Sequence, residues 1–245
     1  MIPFDRIETV FLDAGNTLVS VDFERVGAAL ATLGVNVDLA SLRRAEAASR
    51  PAISKRLAVT PWREPEEPFV VYLRGILAEL ERRLVGADGR LAALGPRLAP
   101  MLRGARASDL WCSVMPGVPA ALTTLKALGL RLAVVSNSDG TAEEMLRRAS
   151  LRDYIDAVID SAVVGYEKPD PQIFQHALRA MDAEPATTLH VGDLYEADVV
   201  GARSAGLHAL LLDPFGDWAP VDCETLADVP ALAAAMTQAR RAGAS

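Results

Sequence analysis

The spacing of apolar positions changes twice along the chain. Residues 7–13 are a short apolar run in which Val10-Phe11-Leu12 leads into Asp13, the pattern of a buried strand. From Phe23 the spacing is helical, with Phe23, Val26, Ala29, Leu30 and Leu33 three or four residues apart and Gly34 as a stop. A second helix is expected from Leu39 to Leu57. Pro61, Pro65 and Pro68 break the chain before a third, whose face is marked by Val70, Leu73, Ile76, Leu77, Leu80 and Leu84. Gly86 and Gly89 interrupt it, and Leu91 to Leu102 reads as a weaker helix with Pro96 inside. About ninety residues without a clear strand are too many for a structureless loop, so the pattern predicts an inserted helical domain.

After Met115-Pro116-Gly117, helix and strand alternate. Val118 to Leu128 is a helix ended by Gly129, and Leu132-Ala133-Val134-Val135 is a strand running into Ser136. A helix begins near Thr141, Ala157-Val158-Ile159 is a short strand, and Asp170-Pro171 opens a further helix as cap and first-turn residue. Leu189 to Asp193 is another strand ending in an acid, followed by a helix of small residues that permits close approach to a sheet. Leu210 to Asp213 closes the set, with a last helix from Asp228 and a frayed tail after Gln238. The fold class expected is α/β: a parallel, Rossmann-like sheet covered by helices on both faces, with an inserted α-helical cap. Residues 1–19 and 113–245 form the core and 20–112 the cap.

Composition narrows the function classes. A chain of 245 residues with 51% hydrophobic content can fill a large core. The net charge of −7 and the lack of a long basic run argue against a nucleic-acid partner and favour a small molecule. The longest apolar runs are strand-sized and the first residues include Asp5, Arg6 and Glu8, so no membrane span or signal segment is expected and a cytoplasmic location follows. Cys112 and Cys223 have no bridging or metal-ligand pattern and read as packing residues. Monomer and homodimer stay open.

Chemistry-bearing residues gather at the strand ends: Asp13, Ser136 with Asn137, Lys168, and Asp193 with Asp198. An ionised carboxylate there can attack phosphorus. Mg²⁺ held by one or two carboxylates would shield it from an anionic substrate, while a lysine and a serine hydroxyl bind the phosphoryl oxygens.

These residues carry a resemblance. Phe11 to Leu18, Val134-Val135-Ser136-Asn137, Glu167-Lys168-Pro169-Asp170 and Gly192 to Asp198 are similar, in order and spacing, to the four motifs of the haloacid dehalogenase-like hydrolases that carry a helical cap after the first motif. The resemblance implies a Mg²⁺-dependent phosphatase acting on a small phosphorylated metabolite. Asp13 would be the nucleophile, Ser136, Asn137 and Lys168 the phosphoryl contacts, and Asp13, the Gly15 carbonyl, Asp193 and Asp198 the metal site, Asp198 as ligand or orienter. One departure matters. Phosphatases of this superfamily usually carry a second aspartate, the general acid and base, where Gly15 stands, and such catalysis contributes about 10²–10⁴-fold. Slow turnover of alkyl phosphates is therefore expected unless another group, such as Glu196 or a cap acid, substitutes.

Two alternatives stay open: a phosphonoacetaldehyde-hydrolase-like enzyme using Lys55 of the cap as a Schiff base, and an impaired binding or regulatory protein. Carbon–halogen cleavage is disfavoured, because dehalogenases of the superfamily have a tyrosine in the place of Gly15. His190 reads as a satisfied core histidine, Trp62 and Trp111 as packing for the cap, and Trp218 as a residue at an entrance. Hinges are expected near Ser20 and Ser113.

Overall fold

The computed structural model describes residues 1–59, 68–84, 89–103 and 109–243; Pro61, Trp62, Pro65 and Gly86 lie outside them. Six strands form one parallel sheet: β1 (Thr9–Leu12), β4 (Arg131–Ser136), β5 (Ala157–Asp160), β6 (Thr188–Gly192), β7 (His208–Leu212) and β8 (Glu224–Leu226), in the order β5-β4-β1-β6-β7-β8. Alternation along each strand separates two cores. Val10, Leu12, Leu132, Val134, Leu189, Val191, Leu210 and Leu212 face α5 (Val118–Ala127), α6 (Ala142–Arg148) and α10 (Val229–Gly243). Phe11, Ala133, Val135, Ile159, Ala209 and Leu211 face α8 (Pro171–Met181) and α9 (Gly201–Ser204). The expected doubly covered sheet is present.

From β1 the chain builds outward through β4 and β5, then returns to the other side of β1 with β6, β7 and β8. The reversal lies between β1 and β6, and a crevice opens beyond the carboxyl ends of strands at such a point. Leu12 pairs with Val191 there, and the Asp13 N–H bonds the Val191 carbonyl at 2.9 Å, so Asp13 and Asp193 leave the sheet side by side.

The cap is helical: α1 (Phe23–Thr32), α2 (Leu39–Val59), α3 (Pro68–Leu84) and α4 (Gly95–Leu102) surround their own apolar core of Leu30, Leu42, Leu73, Leu77, Leu80 and Leu98. Pro68 and Pro96 stand in the first turns of α3 and α4, where a missing N–H costs nothing, so Pro96 starts a helix rather than interrupting one. The pattern also missed a strand pair. β2 (Val19–Val21) and β3 (Trp111–Val114) form an antiparallel ribbon at the root of the cap, in which Ser20 faces Ser113.

Other expectations are corrected. The tail does not fray at Gln238: α10 continues to Gly243, and the Arg240 guanidinium donates to the Ile7 carbonyl at 2.6 Å. Cys112 is exposed on the ribbon, whereas Cys223 packs, partly buried, against the core of α8 and α9. Trp218 is buried in the core of α8 and α9, its ring 6.3 Å from that of Tyr195, and does not line the cleft. Among the described residues no helix is long and apolar enough to cross a membrane.

Candidate active site

A cavity of about 680 Å³ lies between the carboxyl edge of the sheet and the cap, and Asp13, Gly15, Ser136, Asn137, Lys168, Asp193 and Asp198 all line it. The strand ends thus bring every expected site residue to one place.

Lys168 is at the centre. Its ammonium is buried and donates to Asp13 Oδ1 at 2.5 Å and to Asp198 Oδ1 at 2.7 Å. Burial would lower its pKa, but the two carboxylates outweigh burial and hold it above the usual lysine range. Asn137 keeps it in place: its amide donates to the Lys168 carbonyl at 2.9 Å and accepts from the Lys168 N–H at 2.7 Å. The contact of the Asn137 side chain is therefore with the lysine's main chain. Ser136 ends β4, buried, beside it.

Asp198 has its acceptors filled. Oδ1 takes Lys168 and lies 2.9 Å from His190 Nε2, and Oδ2 accepts from the Leu194 N–H at 2.9 Å. Against burial, Lys168 and His190 hold this carboxyl below the usual range. A Cβ on Gly192 would run into the Asp198 carboxyl, which is why the strand ends in glycine. His190 is only half satisfied: Nε2 meets Asp198, and Nδ1 is buried without a partner. Burial keeps its pKa down, so it sits there as a neutral ring.

The cap supplies residues the sequence reading did not find. Arg50 and Glu46, one turn apart on α2, are both buried; the guanidinium binds Glu46 at 2.7 Å and reaches Asp193 Oδ2 at 3.3 Å. Asn16 joins them, its amide donating to Glu46 at 2.8 Å and to Asp193 at 3.2 Å. It does so from a left-handed turn, φ 52°, a conformation asparagine tolerates. Two further contacts tie cap to core: Arg44 pairs bidentately with Asp217, both bonds 2.7 Å, and the Ser54 hydroxyl accepts the Glu196 N–H at 3.1 Å. Lys55 is exposed and does not line the cleft, since α2 turns the adjacent Ser54 inward instead. This removes the basis for the Schiff-base alternative.

Four buried carboxyl groups, Asp13, Asp193, Asp198 and Glu46, face two buried cations, Lys168 and Arg50. Asp193 bears the imbalance: burial, offset in part by Arg50 and reinforced by Asp13, Asp198 and Glu46, pushes its carboxyl up to about 8. Asp13 is also raised, first by burial, with Lys168 opposing. Among the described residues, no group of three carboxylate, imidazole or thiolate side chains gathers as a metal cage. Mg²⁺ does not ask for one: one or two carboxylates, water and substrate phosphate suffice. The donor set and its excess negative charge fit a divalent cation.

Gly15 is walled in. A Cβ there would stand 3.0 Å from Trp111 Cζ3 and 3.3 Å from Cη2, and the indole is braced on Tyr72 with ring centroids 5.5 Å apart. Gly15→Asp alone is therefore expected to destabilise the fold and leave phosphate release low. Paired with Trp111→Ala, which clears the space, it raises turnover of alkyl phosphates by about 10²-fold or more, as read from initial rates.

Comparison with known proteins agrees with this architecture. A family model described as haloacid dehalogenase-like hydrolase matches residues 7–206. Haloacid dehalogenase-like hydrolase domain-containing protein 3 of Bos taurus is 38% identical over 120 residues, 49% of this chain and 47% of that protein, so the match spans less than half of its length. Phosphoglycolate phosphatase of Nitrosospira multiformis is 36% identical over 179 residues, covering 69% of this chain and 77% of that protein. Among solved structures, the HAD-hydrolase YfnB from Bacillus subtilis, bound to magnesium, superposes with a TM-score of 0.60 at 19% identity, over 95% of this chain and 99% of that one, a likeness of fold. With an acid at the end of its first strand, a helical cap and a family model that matches residues 7–206, the chain belongs to the haloacid dehalogenase-like hydrolases.

Proposed function

We propose that this hydrolase is a Mg²⁺-dependent phosphatase that acts on a small phosphorylated metabolite through an aspartyl phosphate on Asp13. The observation that carries the reading is the buried Lys168 ammonium shared by Asp13 and Asp198 at the base of the cleft. The phosphatase named among the relatives supports it. Lys168 holds one oxygen of Asp13 and leaves the other to attack phosphorus. The same ammonium and the Ser136 hydroxyl then stabilise the charge that develops on the phosphoryl oxygens. Asn137 and Asp198 act by positioning Lys168, and Asp198 through His190 and Leu194 as well.

Asp13, Asp193 and the Gly15 carbonyl would hold Mg²⁺, which when bound offsets the negative charge between nucleophile and substrate. Residues 20–112 form the cap and 1–19 with 113–245 the core, hinged at the ribbon where Ser20 faces Ser113. Cap closure excludes water while the intermediate forms.

Phosphate release from a panel of phosphomonoesters, with Mg²⁺ and with a chelator, tests the reading. Mg²⁺-dependent release from at least one member is expected. No release from any member would favour the alternative, a binding or regulatory protein on the same fold.

The metal-free protein should also report on Asp193. A carboxyl raised on folding binds a proton in the folded state that it lacks in the unfolded one, so the contribution of Asp193 to stability is full below its ordinary value and is lost as pH rises towards about 8. The melting temperature of metal-free protein is expected to drop between pH 6 and pH 8.5, by about 2–4 °C for each kcal/mol lost in a chain this size. Asp193→Asn flattens that slope, and added Mg²⁺ restores stability at the alkaline end.

A further inference from the structure

We propose that Arg50, Glu46 and Asn16 form a positioning device for Asp193, through which the cap holds one oxygen of that carboxylate and turns the other towards the cation. This role presupposes the Mg²⁺-dependent phosphatase reading and names the residues that set the affinity of its metal site.

Asp193 divides its two oxygens. Oδ2 accepts from the Asn16 amide at 3.2 Å and lies 3.3 Å from Arg50 Nε, whereas Oδ1 takes no hydrogen bond among the described residues and is not a buried, unpartnered atom. Asp193 lines the cavity, so Oδ1 is the oxygen that opens on it. Asp13 is divided in the same way, with Oδ1 on the Lys168 ammonium and Oδ2 left over. Each carboxylate keeps one oxygen for the same space, Asp13 held from the core by Lys168 and Asp193 held from the cap by Arg50.

The hold on Asp193 joins three segments far apart in the chain: Asn16 in the turn after β1, Glu46 and Arg50 on α2, and Asp193 itself after β6. The contacts close into a ring. The guanidinium grips Glu46 through Nε at 3.0 Å and Nη2 at 2.7 Å, and the Asn16 amide donates to Glu46 at 2.8 Å as well as to Asp193. All four residues are buried, the most exposed of them only 6% accessible. An arginine alone beside a metal ligand would oppose a cation by its charge; Glu46 offsets that charge and leaves the N–H donors in place. This accounts for a carboxylate that sits buried against Arg50 and does not itself line the cavity.

The need for such a hold follows from the ion. Mg²⁺ takes near-ideal octahedral geometry from one or two carboxylates, so a carboxylate free to turn at a strand end would lose that freedom on binding, at a cost in affinity. Hydrogen-bond partners behind metal ligands fix that orientation in advance, and losing them weakens metal binding by about 10–100-fold.

Isothermal titration calorimetry with Mg²⁺ tests this on two variants. Glu46→Gln combined with Arg50→Met removes one charge of each sign, so the net charge of the site is unchanged and a shift in affinity reports the lost hold on Asp193. Asn16→Gly breaks no ion pair and suits the left-handed backbone at that position, φ 52°, so it decides the question even where the double variant fails to fold. The expected result is Mg²⁺ binding about 10–100-fold weaker in the double variant, with a smaller shift in the same direction for Asn16→Gly. The Mg²⁺ concentration that half-saturates hydrolysis of 4-nitrophenyl phosphate should rise in parallel, while KM for the ester at saturating Mg²⁺ does not move. Unchanged or tighter Mg²⁺ binding in the variants would overturn the inference, as would a raised KM with unchanged Mg²⁺ affinity, which would place Arg50 on the substrate instead. Either result leaves the phosphatase reading intact. No Mg²⁺ binding by the wild-type protein would overturn this role and the Mg²⁺ dependence together.

Discussion

Asp13→Asn is expected to abolish phosphate release, lowering kcat by at least about four orders of magnitude, because the amide cannot form the covalent intermediate and only binding and positioning remain. The substitution nearly preserves shape, so the fold should tolerate it. It loses the ion pair of Asp13 with Lys168, although the amide oxygen can still accept from the ammonium, and it relieves the burial of a carboxyl whose pKa is already raised. Thermal melting with an unchanged transition, beside phosphate release at background, is the outcome that assigns the loss to chemistry. Residual turnover near wild type would mean that another group attacks phosphorus.

Lys168→Met has the second large effect, and it falls on stability as well as rate. Removing the ammonium leaves Asp13 and Asp198 buried without their shared cation, and breaking a buried ion pair from one side costs about 3–5 kcal/mol. In a chain of this length that corresponds to a fall in melting temperature of about 10 °C. Turnover should drop by about 10²–10³-fold or more, since a charged donor to the phosphoryl group is lost. Adding Asp198→Asn to Lys168→Met removes one of the stranded charges and should recover a measurable part of the stability but none of the activity. A double variant no more stable than the single one would show that the cost is packing rather than charge.

How far the sequence led depended on where the physical signal lay. The strands that lead into Asp13, Ser136 and Asp193 are buried on both faces and so read as largely apolar runs, which made the sheet and the acids at its edge legible. Arg50 and Glu46 were invisible because the face that α2 turns inward is polar: Glu46, Ser49, Arg50 and Ser54 share it with Leu42, Ala45 and Ile53. Counted together, these positions have a helical period; counted by hydrophobicity alone, they have none. An arginine and a glutamate four residues apart normally signify a solvated pair, and only the closure of the cap over Asp193 makes this one internal. The ribbon was missed because β2 has three residues and β3 four, half of them exposed, and neither rises above background alone. Trp111 was expected to pack the cap. Its approach to Gly15 depends on the pairing of Val21 with Trp111 across the insert, a contact that no local pattern encodes.

The same logic explains why motif spacing outperformed helix reading in the cap. The site residues are fixed by short loops leaving adjacent parallel strands, so their order along the chain nearly determines their meeting. The cap's helices meet through three separate connections, and the residues that face the cleft are chosen by how those helices pack rather than by any spacing within one.

The most direct test is to quench the wild-type enzyme in acid within its first turnovers of 4-nitrophenyl phosphate and locate the phosphoryl group by peptide mass spectrometry. One phosphoryl group on Asp13, absent from Asp13→Asn, is the expected result. Sustained release of phosphate with no modification of Asp13, or with the group on another residue, would contradict the assignment of Asp13 as nucleophile.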